Sequence, residues 1–327
     1  MIREGAAEGG TTRRALAWLL DRAFAIRPLL WVPALAVFGA GRAWGIGVLG
    51  HREFSPAPIL SLLLVLAAVH AANACRDREG DRINRKGFPV GKGLVDDATL
   101  LALSVVSLVG AAFLARGASI SEQWLLAASF VLGLVYVTPP LELKRRPILD
   151  VLCHGLGYGI VAFLLGAAGC GDLDRAGSLG WALAAALPYA LGIMTVALLT
   201  MLADLEGDAR AGQRTTAVAL GRARTAGAAG ALAWGTFGAG LGAGELIPTL
   251  WGALAAALLG LGADAGMRAP SGWNTLAIRL QLLFLAILAP RSPAPLVIAV
   301  LLGCVSEVYN RWRWGVSYPL RAAGGGA

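Results

Sequence analysis

The sequence predicts an all-α membrane protein, built as a bundle of nine to ten transmembrane helices. Of its 327 residues, 57% are apolar and 15% are charged, whereas a soluble domain carries about a quarter charged residues. Apolar runs of about 17 to 22 residues, the length that crosses a bilayer, recur along nearly the whole chain. This composition excludes an ordinary soluble protein, and it makes the lipid bilayer the first expected partner.

The N-terminal segment is expected to lie outside the bilayer core. Residues 1–11 form the predicted disordered tail. Over residues 12–26, Leu16 and Leu20 fall on one helical face and Asp21 falls elsewhere, a pattern typical of a helix that lies in the membrane interface.

Eight apolar segments are predicted as spanning helices. They cover residues 28–48, 57–77, 97–115, 121–138, 148–168, 178–204, 225–243 and 246–266. Two further segments, 274–289 and 293–310, are separated by Pro290 and Pro293. Because proline interrupts a helix, they are either two short spans or one broken span. Residues 311–327 form the predicted C-terminal tail.

The net charge of +8 is explained by topology. With the N-terminus in the cytoplasm, 19 Lys and Arg residues fall in cytoplasmic segments and 5 on the opposite side. Membrane proteins concentrate basic residues in cytoplasmic loops. The distribution therefore predicts a cytoplasmic N-terminus and gives no indication of a nucleic-acid partner. Arg311, Arg313 and Arg321 would place the tail there too, which favours ten helices.

Two acidic clusters mark the ends of the second and the sixth predicted span. Both read Asp-x-Glu-Gly-Asp, one from Asp77 to Asp81 and the other from Asp204 to Asp208. Four predicted helices separate them, so both are expected on the same side of the membrane. We therefore expect the two clusters, and the loops beside them, on the cytoplasmic side.

The predicted spans form one transmembrane domain over residues 12–310. Its two halves, about 28–138 and 148–266, each contain four spans with an acidic cluster after the second, and the C-terminal helices follow. This arrangement resembles a parallel internal repeat. Such repeats place their binding sites at the interface between the two halves.

Helical spacing groups the oxygen-bearing side chains of each cluster. At about 100° per residue, Asn73, Asp77 and Asp81 form one polar stripe, and Asp204 and Asp208 form another. Carboxylates at membrane depth cost on the order of 3 kcal/mol each, so facing stripes need a partner. Oxygen ligands without His or Cys favour Mg²⁺ or Mn²⁺ over zinc, and Mg²⁺ completes its coordination with water and phosphate oxygens. The alternative is two solvated helix ends balanced by arginines, which the second copy disfavours.

At these residues the sequence resembles the UbiA-type family of intramembrane prenyltransferases. The family signatures are Asn-x-x-x-Asp-x-x-x-Asp after the second helix and Asp-x-x-x-Asp after the sixth. The likeness extends into DRINRKGFPVGKG after the first motif and YVTPPLELKRRP from Tyr136 to Pro147, and it covers roughly residues 15–270. It implies a helical bundle around a central cavity, with Mg²⁺ on both motifs holding a prenyl diphosphate. Ionisation of the donor would give an allylic cation, which a small lipophilic or aromatic acceptor captures.

The resemblance also implies residues that contact the substrate. Lys144 matches the family's loop lysine and would bind the diphosphate, with Arg145 as a weaker candidate. Tyr136 matches a family tyrosine that can line the cavity. His70 precedes Asn73 by three residues on the same face, where it is either a contact to the acceptor, a base, or a packing histidine.

Two departures from the family pattern concern cations. Phe88-Pro89 stands where the family usually has Arg-Pro, and Ala209 stands where Arg usually follows the second motif, with Arg210 one place later. Both changes remove positive charge near the diphosphate or the acceptor. We therefore expect an unusual acceptor.

Three further polar residues have two interpretations. Asp150 and His154 share a helical face and either bind a polar acceptor or pack. Glu206 joins the metal site only if its helix unwinds at Gly207, and Gly80 would loosen the other helix in the same way.

Two other functions fit the same residues. A terpene cyclase would use the same ionisation but capture the cation within the substrate. A cation-coupled transporter would use the acidic pairs as an ion site, although such sites ordinarily lie on discontinuous helices at the bilayer midplane. The identity of the acceptor, the chain length of the donor and the oligomeric state stay open.

Overall fold

The architecture was obtained as a computed structural model, which describes residues 4–50, 53–83, 88–173, 177–262 and 270–317. All regular elements in these ranges are helical, so the all-α prediction is confirmed. The helices are α1 (Glu4–Ala25), α2 (Val32–Val48), α3 (Ala57–Ile83), α4 (Phe88–Gly91), α5 (Asp97–Ala115), α6 (Ile120–Val137), α7 (Leu149–His154), α8 (Ala162–Ala168), α9 (Ser178–Arg210), α10 (Thr216–Ala243), α11 (Leu246–Gly262), α12 (Pro270–Leu288) and α13 (Ala294–Trp314).

Local capping interactions set several helix starts. Before α5, Asp96 Oδ1 accepts a hydrogen bond from Thr99 N at 2.7 Å. Before α6, Ser119 and Glu122 form a reciprocal capping box. These side chains satisfy backbone N–H groups that have no partner within the helix. The positions of these two starts therefore follow from the sequence.

The outer surface of the bundle is apolar. Seven helical segments of the described chain are long and apolar enough to cross a membrane, and two shorter apolar helices lie within α11 and α12. The lipid-compatible surface is clearest on α5, whose exposed side chains include Leu101, Val105, Val106, Val109 and Phe113. Large apolar patches of this kind are rare on soluble proteins. The fold is thus that of a membrane protein, while the count of nine or ten spans stays a prediction.

Both helices that carry the acidic motifs are longer than the predicted spans. α3 continues to Ile83 and α9 continues to Arg210 without a break. The predicted unwinding at Gly80 and Gly207 is therefore wrong. At Gly80 the missing side chain serves close packing instead, because an added Cβ would lie 3.1 Å from Gln213 Nε2.

Two of the predicted spans, the fifth and the seventh, contain departures from regular α-helix. A π-helical segment, Gly155–Val161, joins α7 to α8. α10 begins at Thr216, nine residues before the predicted start of its span, and is interrupted at Gly221, where φ is 75°. A positive φ of this kind favours glycine.

The ends of the described chain meet at one place. α1 already begins at Glu4, so it occupies most of the segment predicted to be disordered. An existing helix extends easily, because each added residue gains one hydrogen bond. α13 continues to Trp314, into the predicted tail, whose residues 318–327 lie outside the described residues. Asp21 of α1 is buried against α13.

The packed interior lies between α2, α3, α8, α9 and α12. Its buried members include Leu62, Phe163 and Ala186. A second packed group joins α9 to α10, α11 and α12. These contacts hold α3 and α9 together at a fixed spacing, and the ends of those two helices border an open cavity.

Candidate functional site

Both acidic motifs line a single cavity of about 850 Å³. α3 and α9 each supply part of its wall, and α6, α7 and α13 supply others. The predicted metal ligands that border this cavity are Asn73, Asp77, Asp81, Asp204 and Asp208. The structure therefore brings together the two clusters that the sequence separates by four helices.

The first motif is tied to the loop after α6. Lys144, only 4% exposed, donates hydrogen bonds to Asn73 Oδ1 at 2.7 Å and Asp77 Oδ1 at 2.6 Å. Asn73 Nδ2 in turn donates to Asp77 Oδ2 at 2.5 Å. A buried ammonium needs such partners because burial removes its hydration. Lys144 therefore places one positive charge on the cavity wall, beside the first motif.

Two residues of the site were missed by the sequence analysis. Arg27 is ion-paired with Asp81, and Gln213 Nε2 lies 3.4 Å from Asp77 Oδ1; both line the cavity. From the sequence, Arg27 was expected only to contribute to the positive charge that sets the topology. The one local sequence signal for Arg27 is its position directly before Pro28, at the start of an apolar span. No local sequence signal marks Gln213.

The second motif differs from the first in its surroundings. Asp204 and Asp208 face the cavity. Glu206 lies at the cavity rim, where it pairs with Arg222 at 3.2 Å and with Arg210 at 3.9 Å. The Arg210 side chain is 70% exposed. Glu206 and Arg210 thus form a charged rim beside the metal-ligand candidates.

Arg145 points away from the cavity that Lys144 lines. Its Nε lies 3.1 Å from Glu142 Oε1, and Arg145 is absent from the described residues that border the cavity. Adjacent residues of one 3₁₀ turn, Leu143–Arg145, therefore have different environments. Of these two neighbouring cations, Lys144 lines the cavity and Arg145 does not.

A wall of aromatic and imidazole rings lies below the acidic groups. Tyr136, His154 and Tyr158 pack in sequence, with ring centroids 5.3 Å apart for the first pair and 5.9 Å for the second. Tyr158 Oη is 3.1 Å from His70 Nε2. All four side chains line the cavity. Their π faces and lone pairs can stabilise positive charge deeper in the site.

Asp150 does not share this wall. It is fully buried, and its carboxylate accepts hydrogen bonds from Thr216 Oγ1 and from Thr216 N, the latter at 2.6 Å. The interpretation of Asp150 as an acceptor contact is therefore wrong. Its role is to join α7 to α10, since a buried carboxylate requires hydrogen-bond donors.

The departures from the family pattern also lie at this cavity. Phe88 lines it and stacks on Trp314 with centroids 5.7 Å apart. Lys92 Nζ lies 4.8 Å from the centroid of the Trp314 ring. An aromatic surface thus replaces the guanidinium that the family pattern would place after the first motif.

Comparison with known sequences agrees with these features. The family described as the UbiA prenyltransferase family matches residues 28–271. A lycopene elongase/hydratase of Halobacterium salinarum is 31% identical over 204 residues, which are 61% of this chain and 70% of the relative. A digeranylgeranylglyceryl phosphate synthase of Halobacterium salinarum is 33% identical over 204 residues, 61% of this chain and 68% of the relative.

Solved structures show the same fold. A UbiA homolog from Archaeoglobus fulgidus bound to GPP and Mg²⁺ gives a TM-score of 0.62 at 17% identity, covering 82% of this chain and 99% of the other. The apo UbiA homolog from Aeropyrum pernix K1 gives 0.56 at 19% identity, covering 83% and 96%. Sequence match, fold and paired motifs on one cavity together place the chain in the UbiA prenyltransferase family, as an intramembrane prenyltransferase.

Proposed function

We propose that the protein transfers an isoprenoid chain from a prenyl diphosphate to a lipophilic acceptor, in a reaction that requires Mg²⁺. The observation that carries this proposal is the convergence of Asp77, Asp81, Asp204 and Asp208 on one cavity. Four carboxylates around one space would repel each other unless cations lie between them. A diphosphate with divalent cations fits that requirement.

The donor set suits Mg²⁺. Asn73, Asp77 and Asp81 would hold metal on one side, and Asp204 and Asp208 on the other; all five offer hard oxygen ligands. The described residues contain no compact group of three His, Cys, Asp or Glu side chains of the kind that encloses a metal alone. Mg²⁺ commonly completes its coordination with water and phosphate oxygens. When bound, it would neutralise the charge that develops on the leaving diphosphate.

Cationic side chains would bind the diphosphate directly. Lys144 and Arg27 contact the carboxylates of the first motif, and Arg210 lies on the rim beside the second motif. Ammonium and guanidinium groups form charge-assisted hydrogen bonds to phosphate oxygens. We infer that Lys144 and Arg27 orient the donor and that Arg210 assists from the rim.

The rest of the cavity would hold the isoprenoid chain. Leu66, Val69, Leu132 and Val137 line it on the side of α3 and α6. Apolar walls favour an isoprenoid tail and exclude water. Because water would quench an allylic cation, these side chains protect the reactive intermediate.

The acceptor is proposed to be a neutral lipophilic or aromatic molecule. Lys144 and Arg27 already face the acidic motif, and Phe88 replaces a cation that a charged acceptor would need. The names of the two relatives indicate a hydrocarbon acceptor for one and a glyceryl phosphate for the other. The aromatic surface around Phe88 supports the former chemistry for this chain.

The proposed orientation has the N-terminus and both motifs on the cytoplasmic side. It rests on the 19 to 5 asymmetry of the Lys and Arg residues. A cytoplasmic cavity mouth would face the compartment in which a water-soluble diphosphate group is released.

The test is an assay of detergent-solubilised protein with dimethylallyl, geranyl and geranylgeranyl diphosphates. Lycopene and geranylgeranylglyceryl phosphate serve as separate acceptor arms. We expect Mg²⁺-dependent diphosphate release and a prenylated product. Asp77→Asn and Asp208→Asn should lower release about 100-fold or more, because each removes a charge that organises the transition state.

Matched measurements separate the alternatives. Asp172→Asn alters a carboxylate that is absent from the described cavity lining and should leave release unchanged. Cyclic hydrocarbons or alcohols formed without an acceptor would favour the cyclase. Solute uptake into proteoliposomes without Mg²⁺ or diphosphate release would favour the transporter, and normal release by both Asp variants would refute the assigned residues.

A further inference from the structure

His154 is placed at the cavity wall with one ring nitrogen already engaged. It is the last residue of α7, directly before the π-helical segment. Its ring lies edge-on to Tyr136, with an interplanar angle of 88°, and parallel to Tyr158, with an angle of 15°. Two aromatic neighbours therefore fix the plane of the imidazole.

The hydrogen bond to the backbone decides the tautomer of His154. Nδ1 lies 2.8 Å from the carbonyl oxygen of Asp150. A carbonyl oxygen only accepts, so Nδ1 must carry the hydrogen. In the neutral ring the lone pair is then on Nε2, and the described residues provide no hydrogen-bond partner for it.

The carbonyl that orients His154 is itself held in place. The Asp150 side chain accepts hydrogen bonds from Thr216 N and from Val151 N at 2.6 and 2.8 Å. This anchors the first turn of α7 to α10. A ring nitrogen with a free lone pair, oriented by a third group, is the arrangement of a general base.

The second cavity histidine supports this wall. His70 Nε2 is 3.1 Å from Tyr158 Oη, and Tyr158 stacks on His154. His70 lies three residues before Asn73 on α3, which is about 4.5 Å along the helix axis. This wall of aromatic and imidazole rings therefore begins about one helical turn from Asn73, the nearest candidate metal ligand. The reacting end of an isoprenoid donor would lie there.

We propose that Nε2 of His154 takes the proton that the acceptor loses when it is prenylated; this inference rests on the proposed function. Transfer to an alkene, aromatic ring or hydroxyl leaves one proton too many on the adduct. The carboxylates of both motifs are assigned to metal and diphosphate. His154 provides a neutral base below them, and the faces of Tyr136 and Tyr158 stabilise the imidazolium that forms.

The donor C–O bond breaks, and its electron pair leaves with the diphosphate. The acceptor's π or lone-pair electrons form the new bond to the allylic carbon. The C–H or O–H bond of the acceptor then gives its electrons back to the adduct, and its proton goes to Nε2. The imidazolium returns that proton to water or to the released diphosphate.

The experiment compares His154→Gln and His154→Ala with wild type, using geranylgeranyl diphosphate as donor and lycopene or geranylgeranylglyceryl phosphate as acceptor. Two quantities are measured: diphosphate release and prenylated product. We expect release within about 3-fold of wild type, but a fall of about 100-fold in product, the range of a general base. Water should instead capture the cation that no base deprotonates. This gives prenyl alcohol or, with lycopene, a hydrated adduct in place of the deprotonated transfer product.

Added imidazole separates a base from a packing residue. It should restore product formation by His154→Ala in a concentration-dependent manner. Leu152→Ala, two residues away on a side chain exposed at the outer surface, is the control and should behave as wild type in both measurements.

Three outcomes would overturn the inference. Normal product formation by His154→Gln is the first. A parallel loss of release and product without rescue is the second, because it indicates a packing role. The third is loss of the folded protein in both variants together with normal transfer by His154→Asn. Absence of transfer by the wild type would instead count against the proposed function.

Discussion

Lys144 and Arg145 are neighbouring cations whose surroundings differ. Lys144 is buried against Asn73 and Asp77, whereas Arg145 pairs with Glu142 outside the described cavity lining. Sequence alone ranks the two only by their alignment with a family pattern. The direction of each side chain depends on how the loop after α6 folds against α3.

We expect Lys144→Met to raise the KM for the prenyl diphosphate about 10-fold or more. The reason is the loss of a charge-assisted hydrogen bond, worth about 1.5 to 3 kcal/mol. Arg145→Met should change the KM by less than about 2-fold. Steady-state kinetics of diphosphate release measures both, and equal effects of the two substitutions would contradict this difference in role.

At the scale of elements, the close approach of α2 and α8 depends on glycine. A Cβ added at Gly41 would lie 2.0 Å from the carbonyl oxygen of Phe163. Small residues allow helix backbones to approach in membranes, where apolar burial against lipid gives little driving force. This contact holds α2 against α8, the helix that follows His154 and the π-helical segment.

Gly41→Ala should therefore destabilise the protein by on the order of 3 kcal/mol, the upper range for overpacked interiors. Gly47, on the same helix, has no heavy atom within 4 Å of an added Cβ. Gly47→Ala is the matched control and should keep or raise stability, because alanine favours helix. Thermal unfolding in detergent compares them, and equal midpoints would show that the two helices do not pack this closely.

At the scale of the whole molecule, α1 and α13 meet beside the cavity. Asp21 Oδ1 accepts a hydrogen bond from Tyr309 at 2.8 Å, and Asp21 Oδ2 accepts one from Arg313 at 3.0 Å. Phe24 stacks on Tyr309 with ring centroids 4.0 Å apart, and both rings line the cavity. α1 and α13 thus form a contact that contributes to the wall of the cavity.

Opening this contact should admit water to the reactive cation. We expect Asp21→Ala to raise the ratio of prenyl alcohol to transferred product several-fold, and Tyr309→Phe to raise it less, since only a hydroxyl is lost. Product analysis by mass spectrometry measures the ratio. Arg14→Ala, on the exposed face of α1, is the control, and an unchanged ratio in Asp21→Ala would show that the contact does not exclude water.

Several features of this protein were predictable from the order of residues alone. The all-helical bundle follows from apolar runs long enough to cross a membrane, because lipid leaves backbone groups no partner except each other. The shared face of Asn73, Asp77 and Asp81 follows from helical spacing. The start of α6 follows from Ser119 and Glu122, which cap their own turn.

Other features required the tertiary structure. Arg27 reaches Asp81 from 54 positions earlier in the chain, and Gln213 reaches Asp77 across 136. Thr216 donates the hydrogen bond that satisfies the buried Asp150 carboxylate, and the carbonyl oxygen of Asp150 sets the tautomer of His154. Periodicity reports only contacts within a helix, whereas these pairs depend on how separate helices pack. The sequence therefore determined which carboxylates share a face, and only the packing of the bundle decided which cations they meet.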